Sequence, residues 1–134
     1  QVLLAGGIPM DRTGQAVWKW YGTTPNNTNS GTGRSASWSA VGDFQDYARE
    51  NTGYGLVAQV GAPYGEGEAG DVLHMGTDDS WRHAVVVVEA VRDEAGNTID
   101  YLVDSNTTDL RNYPVSAYYY PIQSLIHIVG WNEA

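Results

Sequence analysis

The sequence predicts an α+β fold, in which helices pack on an antiparallel sheet of about five strands. Two observations lead to this class. Segments rich in β-branched and aromatic residues follow one another between turn signals in the second half of the chain, and an amphipathic helical pattern precedes them. The 134 residues suit one compact domain without a repeat or a linker.

The clearest strands are Ala84 to Val91 and Thr98 to Val103, which flank a cluster of Asp, Gly and Asn residues. This pattern predicts an antiparallel hairpin. The segment Val72 to Met75 comes shortly before it, after which Thr77 to Ser80 provides a turn, so the three strands in succession form a meander.

The parity of the hairpin loop decides which residue faces His83, which stands where the first hairpin strand begins. A loop with an even number of residues places His83 opposite Asp104 or Asn106. A loop with an odd number brings Ser105 or Thr107 there instead. An imidazole with a carboxylate or carboxamide in reach is held in one tautomer, as a general base requires.

Two further strands are predicted outside the meander, at Tyr54 to Val60 and at Leu125 to Trp131. The segment Thr107 to Pro114 is polar and is expected to be irregular. The segment Gly22 to Ser37 consists mostly of Gly, Thr, Asn and Ser, which cannot form a core, so we expect an exposed loop at the rim of a substrate groove.

One helix is predicted from a cap at Ser37 or Ser39 to about Glu50, because its apolar residues recur every three or four positions. The opening segment Gln1 to Ala5, followed by two glycines, indicates the last turns of another helix. That helix has neither an N-cap nor a first turn, so the domain is expected to begin in mid-element.

Composition excludes several classes of partner. The formal net charge of −9 repels phosphate backbones and anionic lipid surfaces, so neither a nucleic acid nor a membrane is expected as a partner. No apolar run approaches the roughly 20 residues of a membrane span, and the N-terminal residues do not form an intact signal peptide. The chain contains no cysteine, so it provides neither a disulfide nor a thiol nucleophile.

The two other histidines are expected to be structural. His74 follows Leu73 on a half-buried strand, and His127 lies within an apolar strand, where a hydrogen-bonded core histidine is the simplest interpretation. Asp71 follows a glycine and is most simply a turn residue. Together with His74 and Asp78 or Asp79 it has the chemistry of a metal site, but the spacing is not diagnostic, so no metal and no cofactor is predicted.

Several motifs in this order resemble the papain-like amidases and peptidases of bacterial cell walls. The resemblance is closest to the Putative amidase domain family, which is related to the CHAP and NlpC/P60 enzymes. The matching segments are Leu4 to Met10, Ser37-Trp38, Gly70-Asp71, Trp81 to Ala84, Asp104 to Asn106, Asp109 to Pro114 and Ile126 to Trp131. They extend over nearly the whole chain.

The resemblance implies hydrolysis of an amide by a cysteine, a histidine and a polar residue. His83 matches the base, Asp104 matches the residue that orients it, and Asn106 is the second candidate for that role. The family's cysteine would fall just before Gln1, on the helix that this chain begins within. A separate N-terminal segment or chain is therefore an expected partner, and this chain alone is not expected to be a competent hydrolase.

The same resemblance implies a peptide or amide substrate, such as peptidoglycan, and a protein that is secreted or held at the bacterial cell surface. Gly6, Gly7, Trp38 and Trp81 would line the substrate groove. Two functions of other classes remain open. One is a binding module without catalysis on the same fold, and the other is a metal-assisted hydrolase.

Overall fold

The computed structural model describes residues 1–13 and 16–133. Its helices are α1 (Val2–Ala5), α2 (Ala36–Ser39) and α3 (Val41–Glu50). Its strands are β1 (Gly55–Ala62), β2 (Val72–Thr77), β3 (Ser80–Arg92), β4 (Thr98–Ser105), β5 (Leu110–Pro114) and β6 (Ile122–Asn132). Short 3-10 helices lie at Tyr64–Glu66 and Val115–Ala117. Among the described residues, no helix has the length and apolar character that crossing a membrane requires.

The six strands form one antiparallel sheet in the order β1-β6-β2-β3-β4-β5. The α+β class and the meander of β2, β3 and β4 are confirmed. The predicted number of strands is too low, because the segment that forms β5 is expected from its sequence to be irregular. This strand lies at the edge of the sheet and exposes Arg111 and Asn112, so its sequence lacks the alternation that signals a half-buried strand.

The predicted helix up to Glu50 is present, but in two pieces. Ala40 has φ −119° and ψ 134°, an extended conformation that ends α2 and caps the start of α3. Ser37 and Ser39 lie inside α2 and are not helix caps. The buried Ser37 hydroxyl donates instead to the carbonyl of Val17, so a tertiary contact replaces the predicted cap.

The end of α1 agrees with its glycine signal. Gly7 has φ 101°, a left-handed conformation that glycine adopts without strain, and its N–H donates to the carbonyl of Leu4 at 3.0 Å. The N–H of Ile8 donates to the carbonyl of Leu3 at 3.0 Å. These bonds satisfy carbonyl groups that the end of a helix leaves without partners.

The chain packs as two compact units. The first unit contains residues 1–59 and the C-terminal residues from Val129 onwards, and the second contains Val60–Ile128. The expectation of one domain over residues 1–134 stays a prediction.

In the first unit, a buried acid contacts the helix α3. The Oη of Tyr47 donates to Oδ2 of Asp11 at 2.9 Å, and both residues are buried. Gly55 passes so close that an added Cβ would lie 3.0 Å from Tyr47 Oη, and its φ of 93° also favours glycine. The ring of Trp18 packs on Trp38 of α2 with centroids 4.6 Å apart.

The polar loop between Gly22 and Ser37 is organised by a buried ammonium group. The Nζ of Lys19 donates to the carbonyls of Ser30 and Thr32 at 2.8 and 2.9 Å, and to Oδ1 of Asn26 at 3.4 Å. The loop therefore wraps a charge and replaces its lost water with oxygen ligands. Its expected place at the rim of a groove stays a prediction.

The core of the second unit lies on one face of the sheet. Leu73 and Met75 of β2 alternate with residues of the opposite face, and the register pairs Leu73 with Val85 and with Leu125. The side chains buried in this cluster are Ala62, Leu73, Met75, Val85, Val87, Tyr101, Val103, Val115 and Leu125. Burying each large apolar side chain contributes roughly 1.5 to 3 kcal/mol. The other face of β2 is also buried, at Val72 and His74.

A buried carboxylate joins the start of β2 to β6. Asp71 is 2 % exposed and accepts the N–H of Ile128 at 2.9 Å and the Nδ1 of His127 at 3.0 Å. It also accepts the N–H of Glu68 at 3.0 Å, so its predicted role as a turn residue is confirmed. The hydrogen bond to Asp71 raises the pKa of His127. His127 is hydrogen-bonded, as expected, but a quarter of its side chain is exposed, so it is not a core residue.

His74 should make the fold sensitive to acid. Burial lowers its pKa from 6.5 to about 4, so the unfolded chain binds a proton first as the pH falls. The stability that depends on neutral His74 is complete above pH 6.5 and is lost as the pH falls towards 4, by about 3 kcal/mol. Urea unfolding at a series of pH values should show a shallower acid loss for His74→Leu than for the wild type. Parallel curves for the two proteins would contradict this.

Replacement of Asp71 by alanine should destabilise the second unit by about 3 kcal/mol, because three buried or partly buried donors lose their acceptor.

Asp71→Asn should also remove the pH dependence of stability that the ion pair between Asp71 and His127 contributes. Because the pKa of His127 is raised, the ion pair contributes fully below the ordinary histidine value of 6.5, and its contribution is lost as the pH rises through the raised value. Denaturant unfolding checks both changes against exposed Asp78→Ala, and equal stability of Asp71→Ala and the control would refute the expectation.

Candidate active site

His83 lies on the core face near the start of β3. It pairs with Met75 of β2, which is fully buried, and it comes two residues before the buried Val85. Strand alternation therefore directs its side chain towards the apolar cluster. The ring is partly buried, and this burial lowers the pKa of His83 below its ordinary value.

The residue that meets His83 is Ser105. The hydroxyl oxygen of Ser105 lies 3.4 Å from Nε2 of His83. The register near this end of the hairpin pairs Val87 with Val103 and Val86 with Asp104. The alternative of an odd-length loop is therefore confirmed, and the expectation that His83 faces Asp104 or Asn106 is wrong.

The loop alone does not determine this register. β3 ends at Arg92 and β4 begins at Thr98, so five residues connect them. The register then shifts between Val91 and Arg92 and shifts back between Val87 and Glu89. The two shifts cancel, and the odd-loop register is restored where the hairpin reaches His83.

Asp104 and Asn106 are engaged elsewhere. Asp104 is exposed, and its Oδ1 accepts the N–H of Asn112 in β5 at 3.0 Å. Asn106 lies in the exposed turn after β4. Within residues 1–13 and 16–133, the hydrogen-bond partner of the His83 ring is Ser105, and neither predicted partner makes such a bond. A catalytic role for Asp104 or Asn106 gains no support from these contacts.

The contacts of Ser105 indicate which nitrogen of His83 carries the proton. The Ser105 hydroxyl donates its single hydrogen to the carbonyl of Thr107 at 3.2 Å, because a carbonyl can only accept. Ser105 Oγ is then the acceptor for a proton on Nε2 of His83. In the neutral ring the lone pair lies on Nδ1, and this atom is the one able to accept a proton.

Two tyrosines complete the surroundings of the imidazole. The ring of Tyr118 has its centroid 5.4 Å from that of His83 at an interplanar angle of 50°. The ring of Tyr120 lies 6.2 Å away at 25°, close to parallel. Both tyrosines also pack against the core cluster. The sequence contains one signal for these residues, a run of three tyrosines before Pro121. That run predicts burial in the core but not a contact with His83.

The four predicted groove residues lie in different parts of the chain. Gly6 and Gly7 form the exposed end of α1, and Trp38 of α2 packs on Trp18. A register shift after Met75 pairs Trp81 with Gly76, and the Trp81 ring lies 6.2 Å from that of His74. Trp81 therefore lies on the face of β2 and β3 that His83 does not occupy. A shared groove stays a prediction.

The described residues contain no group of three or more His, Cys, Asp and Glu side chains placed to hold a metal ion. Asp71 accepts a hydrogen bond from His127, and it lies before β2, whereas His74 lies within that strand. The residues considered for a metal site from the sequence therefore do not converge.

Comparison with known proteins identifies the family. The family model described as Putative amidase domain matches residues 1–129, nearly the entire chain. The comparisons found no matching curated protein and no matching solved structure. The chain belongs to the Putative amidase domain family, and its family assignment is that of an amidase-type hydrolase.

Proposed function

We propose that this domain provides the general base of a cysteine amidase with a papain-like fold. The observation that carries the proposal is the contact between Nε2 of His83 and Ser105, on the core face at the start of β3. Ser105 takes the orienting role that the sequence suggests for Asp104. The family description supports amide hydrolysis as the reaction.

The nucleophile is the part that this chain does not contain. The 134 residues include no cysteine, so a thiol has to come from a segment outside them. The family resemblance suggests a helix that continues into α1. We propose that the segment preceding Gln1, or a separate chain that takes its place, carries this cysteine.

The reaction then proceeds in two halves. Nδ1 of His83 takes the thiol proton, the sulfur attacks the amide carbonyl, and the imidazolium returns the proton to the leaving amine. An acyl-enzyme thioester remains. A water molecule gives its proton to Nδ1 and its oxygen to the thioester carbonyl, which releases the acid and restores the thiol. The lowered pKa of His83 keeps the ring neutral near pH 7, as a base requires.

The resemblance of the sequence motifs to CHAP and NlpC/P60 enzymes leads us to propose peptide amides of the bacterial cell wall as the substrate class, and a place outside the cytoplasm. Digestion of purified peptidoglycan by the full-length protein, followed by mass spectrometry of the fragments, tests this part. New pairs of amino and carboxyl ends in the peptide stems are expected. Cleavage of simple peptide amides without any cleavage of peptidoglycan would contradict the substrate class.

A serine nucleophile is the second candidate, because Ser105 and His83 are within reach of each other. Two observations favour the orienting role instead. Ser105 is only 8 % exposed, and its hydroxyl hydrogen is given to the carbonyl of Thr107. A fluorophosphonate probe distinguishes the two roles: covalent labelling of Ser105 would support the serine enzyme, and labelling of a cysteine by iodoacetamide with loss of activity would support our proposal.

His83→Ala in the full-length protein should reduce kcat/KM for amide hydrolysis by about 10² to 10⁴, because the step that activates the nucleophile loses its base. Exposed Asp78→Asn, in the turn that precedes the same strand, is the matched control and should retain wild-type activity. The measurement is amine release from a peptide amide. Equal activity of His83→Ala and the control would exclude His83 as the base.

The same assay separates the remaining functions. A binding module should hold peptidoglycan fragments without turnover, with the wild type and His83→Ala equally inactive. A metal-assisted hydrolase should lose activity to a chelator and regain it with added metal. Turnover that survives the chelator but requires both His83 and a cysteine agrees only with the cysteine amidase.

A further inference from the structure

Three consecutive tyrosines near the end of the second unit point in alternate directions. Tyr118 and Tyr120 pack against the core cluster, whereas Tyr119 between them is 98 % exposed. Tyr118 has φ −84° and ψ 149°, and the residue before Pro121 is disfavoured from helical conformations. An extended backbone places successive side chains on opposite sides, which explains the alternation.

The two inward tyrosines bound the imidazole of His83. Their centroid distances of 5.4 and 6.2 Å fall in the range of favourable ring contacts. Tyr118 is itself held by Tyr113 of β5, in an edge contact with centroids 5.1 Å apart and planes at 74°. The position of Tyr118 is therefore set by the sheet as well as by its own segment.

The remaining sides of the imidazole have other neighbours. Ser105 of β4 meets Nε2, and Met75 of β2 pairs with His83 across the ladder. A rotation of the ring that moved Nε2 away from Ser105 would also disturb its packing on Tyr118 and Tyr120. The aromatic contacts and the hydrogen bond thus favour the same orientation.

We propose that Tyr118 and Tyr120 are positioning residues that hold the imidazole of His83 with Nε2 on Ser105 and Nδ1 turned to the reactants. The catalytic meaning of this role rests on the proposed function of His83, but the positioning itself does not. The tyrosines act through their rings, and the hydroxyl of Tyr118 also interacts with Ser105, so the dispensable hydroxyl is that of Tyr120. Their removal admits water to the imidazole and loosens its orientation.

The titration of His83 tests this by NMR. The groups that face the ring are Ser105, Met75, Tyr118 and Tyr120, and the lowered pKa of His83 has burial as its cause. The ring protons are followed against pH in the wild type and in Tyr118→Leu and Tyr120→Leu. Leucine preserves apolar packing but removes the flat ring, so the midpoint of His83 should move upwards in both variants.

Two controls separate positioning from a general effect on folding. Tyr120→Phe should restore the wild-type midpoint, because the ring remains. Tyr119→Leu, from the same segment, should leave the midpoint unchanged, since its side chain is exposed. An unchanged His83 midpoint in both leucine variants would overturn the proposal. If one leucine variant does not fold, the midpoint of the other variant decides the test alone.

The full-length protein provides the kinetic counterpart. Tyr118→Leu and Tyr120→Leu should lower kcat about tenfold with little change in KM, because the base is misplaced while substrate binding persists. A shifted midpoint in a protein whose activity does not need His83 would support the positioning role and remove the proposed function. An unshifted midpoint in a protein whose activity needs His83 would overturn the positioning role and leave the proposed function standing.

Discussion

The candidate site depends on the register of the hairpin formed by β3 and β4. A slip of one residue exchanges the two faces of a strand. The register shifts twice along this hairpin, between Val91 and Arg92 and between Val87 and Glu89, and returns to pairing Val87 with Val103. With only one of the shifts, Val87 would pair with Asp104, and Ser105 would leave the face of His83. Two local irregularities thus decide the chemistry beside the imidazole.

Hydrophobic burial selects this register over its alternative. Tyr101 and Val103 are fully buried on the core face, so the next residue that faces the same way is Ser105. The slipped register would turn Asp104 inwards and Val103 outwards. Burying a carboxylate without a partner costs several kcal/mol, and exposing a valine loses roughly 1.5 kcal/mol or more. The apolar core therefore places a serine, rather than an acid, beside the histidine.

Strand positions could be predicted from the sequence because β-branched residues cluster where strands are buried. The hairpin, the meander and the position of His83 at a strand start all follow from that pattern. The partner of His83 could not be predicted, since strand propensity carries no information on register shifts. The edge strand β5 and the break at Ala40 could not be predicted either. The polar segment of β5 lacks alternation and pairs with β4, and the extended conformation of Ala40 has no signal in the local pattern.

The contacts of Asp71 and of the two tyrosines could not be predicted from the sequence either. Asp71 and His127 are 56 residues apart in the chain, and only the sheet order that inserts β6 beside β2 brings them together. Tyr118 and Tyr120 reach His83 from a segment whose aromatic residues indicate burial but not a neighbour. A sequence pattern can thus identify a candidate base, whereas the groups that orient it are found through the pairing of distant strands.

The most direct test compares Ser105→Ala with Asp104→Ala in the full-length protein, by rate of amide hydrolysis. Ser105 contacts the imidazole and Asp104 binds the backbone of β5, so we expect kcat to fall for Ser105→Ala and to stay near the wild-type value for Asp104→Ala. The opposite outcome, a loss with Asp104→Ala and none with Ser105→Ala, would contradict the account.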